Sequence, residues 1–382
     1  MKILIVGGGI GGLALAGFLK DSDIEYRIIE KKPDWSHQGY SLGMWQNGRA
    51  MLEKLGLREL FDAHCVPMHA LDIHTGAGKR LRHYDLSDFY SSYGLAYAHI
   101  RRADLHDWLM TTVDPKKVSM GLNVTDIRQV DTGVFVTFSD GSSGRYDLVV
   151  GADGMHSKVR ELAFGGELES WRQWRAWYAW VDTKFAKAKT VSEYIGPGRY
   201  AVFFNEGDKA LAIFVAHVDH TIRESNADEM ERLKRIFSDD TYIKNVLETI
   251  SPADILPTDL AEVSLHSWHT DRVALLGDAA HGFEPFAGLG GSMAMEDAYV
   301  LAHNLLSMPK NPKTEGSLRE TLAIYERRRR QRIGRARMLT HRIRLWSLVA
   351  SKWRRGLVNI CLPFLPSRIF VDGYKSLLEE SI

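Results

Sequence analysis

Residues 3–12 read ILIVGGGIGG, a short apolar run passing straight into glycines, and residues 13–19 (LALAGFL) continue with helical spacing. Consecutive apolar positions suit a parallel strand buried on both faces, so the chain opens as strand, turn and helix. Gly7 permits the tight turn, Gly9 lets the backbone approach a pyrophosphate, and Gly12 allows close packing of helix on strand. The helix N-terminus then offers unpaired N–H groups to phosphate. A second strand, Tyr26 to Glu30, ends in an acid about twenty residues further on, where a carboxylate accepts ribose hydroxyls and repels a 2′-phosphate. These features predict dinucleotide binding and leave FAD and NAD both open.

Two further segments repeat the logic of a buried strand that delivers an acid to its carboxyl end. Residues 147–160 read DLVVGADGMHSKVR, with Asp153, Ser157 and Arg160 in and after the turn. Residues 272–281 read RVALLGDAAH and lead through Pro285 and Gly288-Leu289-Gly290-Gly291 into a helix. The N-terminus of that helix can stabilise negative charge on a reduced ring system, and Asp278 can bind a polyol hydroxyl.

In their order and spacing these motifs resemble the class A flavoprotein monooxygenases, the p-hydroxybenzoate hydroxylase-like family. The resemblance runs over nearly the whole chain: GGGIGG, Glu30, Arg102 with Leu105, GADGMHSKVR, GDAAH with Pro285, GLGGSMAMEDA, and residues 325–328 (YERR). It implies an α/β fold in which a Rossmann-like FAD-binding domain is interleaved with a β-sheet substrate domain and followed by C-terminal helices. It also implies that NADH or NADPH reduces the flavin and leaves, and that oxygen then forms a flavin hydroperoxide whose distal oxygen passes to an aromatic or polycyclic small molecule. By the resemblance Gly7, Gly9, Gly11, Gly12, Leu13, Glu30 and Lys31 hold the ADP half and Val124 lies beside the adenine. Ser41, Arg102, Asp278, Gly288, Gly290 and Gly291 complete the cofactor contacts, and Asp153 and Arg160 stand near the pyrophosphate and the transient nicotinamide. Pro285 turns its carbonyl towards the substrate. Leu289 and Ser292 depart from the family, which commonly has Gln and Asn there. The same flavin chemistry in another pocket would inactivate a polycyclic antibiotic or epoxidise an alkene; a flavin-dependent reductase without oxygen transfer is the rival of a different class.

The pattern along the chain assigns residues 1–67, 99–175 and 262–325 to the FAD-binding domain, 68–98 and 176–261 to the substrate domain, and 326–382 to a helical tail. Within this plan Tyr146 to Val150 reads as one strand, Trp177 to Val181 as another, and Asn226 with Glu229 as a capping box. The strands Tyr200 to Phe204 and Phe214 to His217 are candidates for the far wall of the pocket, although alternation does not say which residues face inward. His99, His217 and Arg101 are candidates to orient or deprotonate a phenol. The tryptophans at 171, 174, 177 and 180 read as core rather than as a stacking platform.

Composition is that of a globular chain: 382 residues, 45% hydrophobic and 25% charged. The two cysteines, Cys65 and Cys361, lie far apart without metal-ligand spacing, which fits a reducing cytoplasm and predicts no metal. No run is long enough to span a bilayer. The net charge of +1 gives no reason to expect nucleic acid, and a monomer or homodimer is expected. That total hides a division: from Arg327 onward 14 basic residues face 3 acids, so the tail is strongly positive and the body negative. A basic, partly apolar tail either packs on the acidic body or makes peripheral contact with an anionic membrane.

Overall fold

The opening strand extends over Lys2–Val6 and is the centre of a five-stranded, all-parallel sheet ordered Val273–Leu275, Leu148–Gly151, Lys2–Val6, Glu25–Glu30, Val118–Met120. Its residues Ile3, Leu4 and Ile5 are wholly buried, as expected of a strand covered on both faces. Helix Ile10–Leu19 follows and packs against helix Gly290–Leu306. The fold is mixed α/β, with this Rossmann-type sheet, a separate antiparallel-rich sheet and C-terminal helices. The computed structural model describes residues 1–35, 39–87, 91, 97–165, 169–218, 225–309, 316–366, 373–375 and 377–378.

The separate sheet has seven strands ordered Leu256–Val263, Glu169–Val181, Ala210–His217, Arg199–Asn205, Thr190–Gly196, Ala70–Thr75, Arg80–Asp85. Strands from residues 70–85 thus join strands from beyond residue 169 in one layer. Helices Asn226–Ile236 and Thr241–Leu247 cover one face through Leu233, Phe237 and Ile243, which pack with Phe203 and Phe214.

Several local readings are corrected. Tyr146 to Val150 is two strands: Tyr146 closes an antiparallel meander, and Leu148–Gly151 joins the parallel sheet. Asp147 sits at the break, where its backbone and carboxylate bond the backbone of Lys2. The strand expected to start at Trp177 starts at Glu169, with a register shift between Trp171 and Trp174 and a left-handed Gln173 (φ 57°). Only residues beyond this bulge keep regular alternation, which hid its first half. Trp177 is core, donating its indole N–H to Glu229 at 2.7 Å, so Glu229 is a buried partner rather than half of a cap. The cap is one residue earlier, Ser225 with Asp228.

The long helix Gly316–Ser347 is clamped to the body by buried charges. Arg329 meets Asp297 and Glu296 (both 2.6 Å), Arg332 meets Glu296 (2.7 Å), and Asn47 donates to Glu296 (2.7 Å). Asp297 also accepts from Gly277 N (2.9 Å) and contacts His281 Nε2 (2.5 Å). A short corner then leads to helix Lys352–Cys361. Cys65 and Cys361 are both free thiols; burial pushes that of Cys65 up to about 11, whereas Cys361 is exposed. Among the described residues no helix is long and apolar enough to cross a membrane.

Candidate functional site

A cavity of about 620 Å³ lies between the carboxyl ends of the parallel strands and the uncovered face of the seven-stranded sheet. Ligands bind at such strand ends because the adjoining helix N-termini and unpaired backbone groups converge there. Gly7, Gly9 and Gly11 line it from the first turn, Glu30 and Lys31 from the end of the second strand, Ser41 from a neighbouring short sheet and Arg102 from the start of helix Arg102–Met110. Asp153 closes one side, and Asp278, Pro285, Gly288, Gly290 and Gly291 close the other. Three separate motifs are thereby brought to one surface.

Four expected contacts fall outside that lining. Gly12 faces the opening strand, where an added Cβ would stand 2.0 Å from the carbonyl oxygen of Gly7, so its role is packing. Leu13 and Val124 are core residues, and the cavity is met instead by Leu122 and Asn123. Arg160 is buried and donates to the carbonyls of Ala279 (3.1 Å) and Met155 (2.6 Å). It ties the second motif to the third. Asp153 lines the cavity but its carboxylate also accepts from Ser157 Oγ (2.5 Å) and Lys158 N (2.7 Å), capping helix Lys158–Phe164. Leu289 and Ser292 are fully buried away from the cavity. Gly48 approaches Ser292 so closely that a Cβ on it would lie 2.4 Å from the hydroxyl, so a side chain at 48 would displace Ser292.

The lining suits FAD on its own geometry. Built Cβ atoms on Gly9 and Gly290 meet nothing within 4 Å, so their side chains would project into the space a ligand needs. Among the described residues the Ser41 hydroxyl, the Asp278 carboxylate and the Arg102 guanidinium have no hydrogen-bond partner. Burial raises the Asp278 carboxyl above its ordinary range, against the pull of His281 and Arg102. An exposed cation, an idle acceptor and two helix N-termini in one cleft match a pyrophosphate flanked by polyols. Glu30 is partly committed, accepting from Gly8 N (2.9 Å) and Lys32 N (3.0 Å), and so holds the glycine turn as well as facing the cavity.

Gly9 offers a clean test, since its backbone is extended (φ −79°, ψ −173°) and tolerates a side chain. Gly9→Val is expected to fold normally and to lose roughly tenfold or more in flavin affinity, a factor of ten corresponding to about 1.4 kcal/mol of lost contact. Full flavin absorbance in the purified variant would remove the backbone-approach role.

The far wall is the sheet. Tyr200, Val202 and Phe204 face the cavity, with Ile213 and Val215 paired beside them, while Phe203 and Phe214 point to the opposite core. Phe214 and His217 are therefore not wall residues; His217 is exposed and bonded to Gln173. Arg101 pairs with Asp208. His99 does line the cavity, held between the Tyr97 hydroxyl (2.8 Å) and Glu206 (2.9 Å). The residue missed from sequence is Glu193, on strand Thr190–Gly196 opposite Val202. Burial pushes its carboxyl up to about 7, partly offset by a hydrogen bond that Tyr200 Oη donates to Oε1 at 2.9 Å.

Among the described residues one group has metal-ligand composition, Glu262, Glu284 and His341. Glu262 contacts His341 Nε2 (2.5 Å) and Glu284 contacts Arg344 (2.8 Å), so side chains of the protein already serve these carboxylates.

Comparison with known proteins agrees with this geometry. The model of the FAD binding domain family matches residues 1–340. The chain is 30% identical over 336 residues to the aurachin C monooxygenase/isomerase of Stigmatella aurantiaca, covering 85% of this chain and 84% of that protein. It is 28% identical over 382 residues to the 2-heptyl-3-hydroxy-4(1H)-quinolone synthase of Pseudomonas aeruginosa, covering 95% and 94%. In fold it is similar to Klebsiella pneumoniae HpxO, solved with FAD and uric acid, at a TM-score of 0.89 and 22% identity over 99% of this chain and 96% of that one. Matched along most of its length by the family's model and by curated relatives, the chain belongs to the FAD binding domain family and is an FAD-dependent monooxygenase.

Proposed function

We propose that the enzyme hydroxylates a planar, largely apolar aromatic or polycyclic compound bearing an ionisable ring hydroxyl or N–H, with NADH or NADPH as transient reductant. Glu193 carries this reading: it is the acid that the seven-stranded sheet contributes to an otherwise apolar and aromatic wall. A carboxyl held near 7 is suited to accept a proton at neutral pH. Similarity to an aurachin C monooxygenase/isomerase and to a 2-heptyl-3-hydroxy-4(1H)-quinolone synthase supports a flat heteroaromatic substrate.

Gly7, Gly9, Gly11, Glu30, Arg102 and Asp278 would hold FAD, which when bound supplies reducing equivalents and activated oxygen. The sheet wall orients the substrate ring, and Phe286 and Tyr200, centroids 6.0 Å apart, close its edge. Glu193 Oε2 takes the ring proton while Oε1 keeps the Tyr200 hydroxyl; burial raises Tyr200 well above its usual value, so it stays a donor. The ring left anionic is the better nucleophile towards an electrophilic oxygen. Substrate, O2, NAD(P)H and a proton give hydroxylated product, NAD(P)+ and water. In this reading residues 1–67, 99–175 and 262–325 serve the flavin, residues 68–98 and 176–261 the substrate, and the unpaired thiols suit a reducing cytoplasm.

The test is a screen of the holoenzyme for compounds that accelerate NAD(P)H consumption, with mass analysis of the product. One added oxygen supports the reading. Consumption that yields only hydrogen peroxide across phenols, quinolones and polycyclic compounds would leave a flavin reductase instead.

A further inference from the structure

The cations of the C-terminal segment divide into two groups. Arg329, Arg332 and Arg344 end on buried carboxylates, and Arg330 and Arg337 on backbone carbonyls of residues 263–266. Arg342, Lys352 and Arg354 are exposed and have no ion-pair partner among the described residues. No acid occurs anywhere from residue 327 to residue 371.

The apolar side chains between these exposed cations point outward. In helix Lys352–Cys361 the buried residue is Arg355, which donates to the carbonyls of Trp346 (2.9 Å) and Ser347 (2.7 Å). It caps the preceding helix and fixes the corner between the two. Trp353, Leu357 and Ile360 follow helical spacing on one stripe and are 68%, 50% and 66% exposed. Phe364, 83% exposed, continues it, and Leu345 and Trp346 add to it from the end of the long helix. Scattered exposed leucines are ordinary, but a stripe of large side chains on the outer face of a helix whose inner face buries an arginine is not.

We propose that the outer face of this corner docks on an anionic phospholipid surface. Trp353, Leu357, Ile360 and Phe364 enter the boundary between headgroups and acyl chains, and Arg342, Lys352 and Arg354 meet lipid phosphates. The charges favour lipid over a second copy, because a two-fold contact through this face would set unpaired cations near one another with no acid to answer them. The inner side of the same corner, through Leu348 and Leu362, belongs to the apolar cluster containing Tyr200, Val202 and Phe204. A bilayer held by the outer face therefore lies about one helix diameter, roughly 10 Å, from the cavity wall.

Cosedimentation of the full-length holoenzyme with phosphatidylcholine vesicles, with and without phosphatidylglycerol, tests this at low and physiological salt. Binding is expected only with phosphatidylglycerol and is expected to weaken with salt. Trp353→Ser/Leu357→Ser/Ile360→Ser and Lys352→Glu/Arg354→Glu are each expected to lower partitioning by about tenfold or more, with flavin content and circular dichroism unchanged. A dye on Cys361 of the wild type should shift to the blue on binding. Absence of binding to phosphatidylglycerol vesicles at low salt overturns the proposal, as does undiminished binding by both variants. A concentration-dependent dimer in light scattering that the serine variant abolishes would assign the face to self-association instead.

Discussion

Glu193→Gln is expected to lower kcat by about 10²–10⁴-fold on a substrate with an ionisable ring proton, the usual range for loss of a positioned general base. Substrate binding and flavin content should change little, because Gln is nearly isosteric and can still accept from Tyr200. The pH profile carries the sharper information. With the carboxyl at about 7, the active deprotonated form accumulates as pH rises, so kcat/KM of the wild type should climb through that region. The variant should lose this limb and recover rate only where the substrate ionises in solution. A Glu193→Gln enzyme with an unchanged profile would remove Glu193 from the chemistry and leave the Tyr97, His99 and Glu206 chain as the next titratable groups at the cavity.

The second large effect concerns stability. Arg329→Met should destabilise by roughly 3–5 kcal/mol, because it leaves Glu296 and Asp297 buried with half of their compensation removed. Both carboxylates and the guanidinium are within 1% of complete burial. Burial alone would raise the Asp297 carboxyl, yet His281 and Arg329 together hold it below its ordinary value. Its contribution is accordingly present at neutral pH and lost as the pH falls below the ordinary carboxylate range. Thermal or denaturant unfolding of the two proteins at neutral pH and below about pH 3 checks both statements; equal stability at neutral pH would show that the network contributes nothing net. Asp297→Asn added to Arg329→Met should recover part of the loss, since Asp297 is the carboxylate left without a guanidinium whereas Glu296 keeps Arg332.

What could be read from sequence follows from how strongly local chemistry constrains each segment. Glycine turns at strand ends are nearly context-free, so the three turns that meet at the cavity are legible at residues 7–12, 151–154 and 288–291. The sheet wall is not. One face of the seven-stranded sheet packs on helices and the other lines a cavity with apolar and aromatic side chains, so Tyr200 to Phe204 shows no polar side from which to infer direction. Glu193 was overlooked for the same reason, although an acid between Val191 and Ile195 on a strand was the available signal. Arg160 donates to two backbone carbonyls, an arrangement that its motif spacing does not distinguish from a ligand contact. In the tail the charge excess was plain, but four consecutive arginines at 327–330 encircle a helix, and only packing decides that Arg329 faces inward while Arg327 and Arg328 are exposed.

The buried network also has a bearing on biosynthesis. Asn47 from the first helix after the opening unit, Glu296 and Asp297 from the middle helix and Arg329 and Arg332 from the long helix meet at one point, and the sheet's edge strand is Val273–Leu275. A ribosome emits about 5–20 residues per second, so Leu148–Gly151 waits on the order of ten seconds for its outer neighbour, Val273–Leu275. During that interval the nascent chain exposes strand edges and uncompensated acids. This connectivity works against cotranslational closure of a first domain.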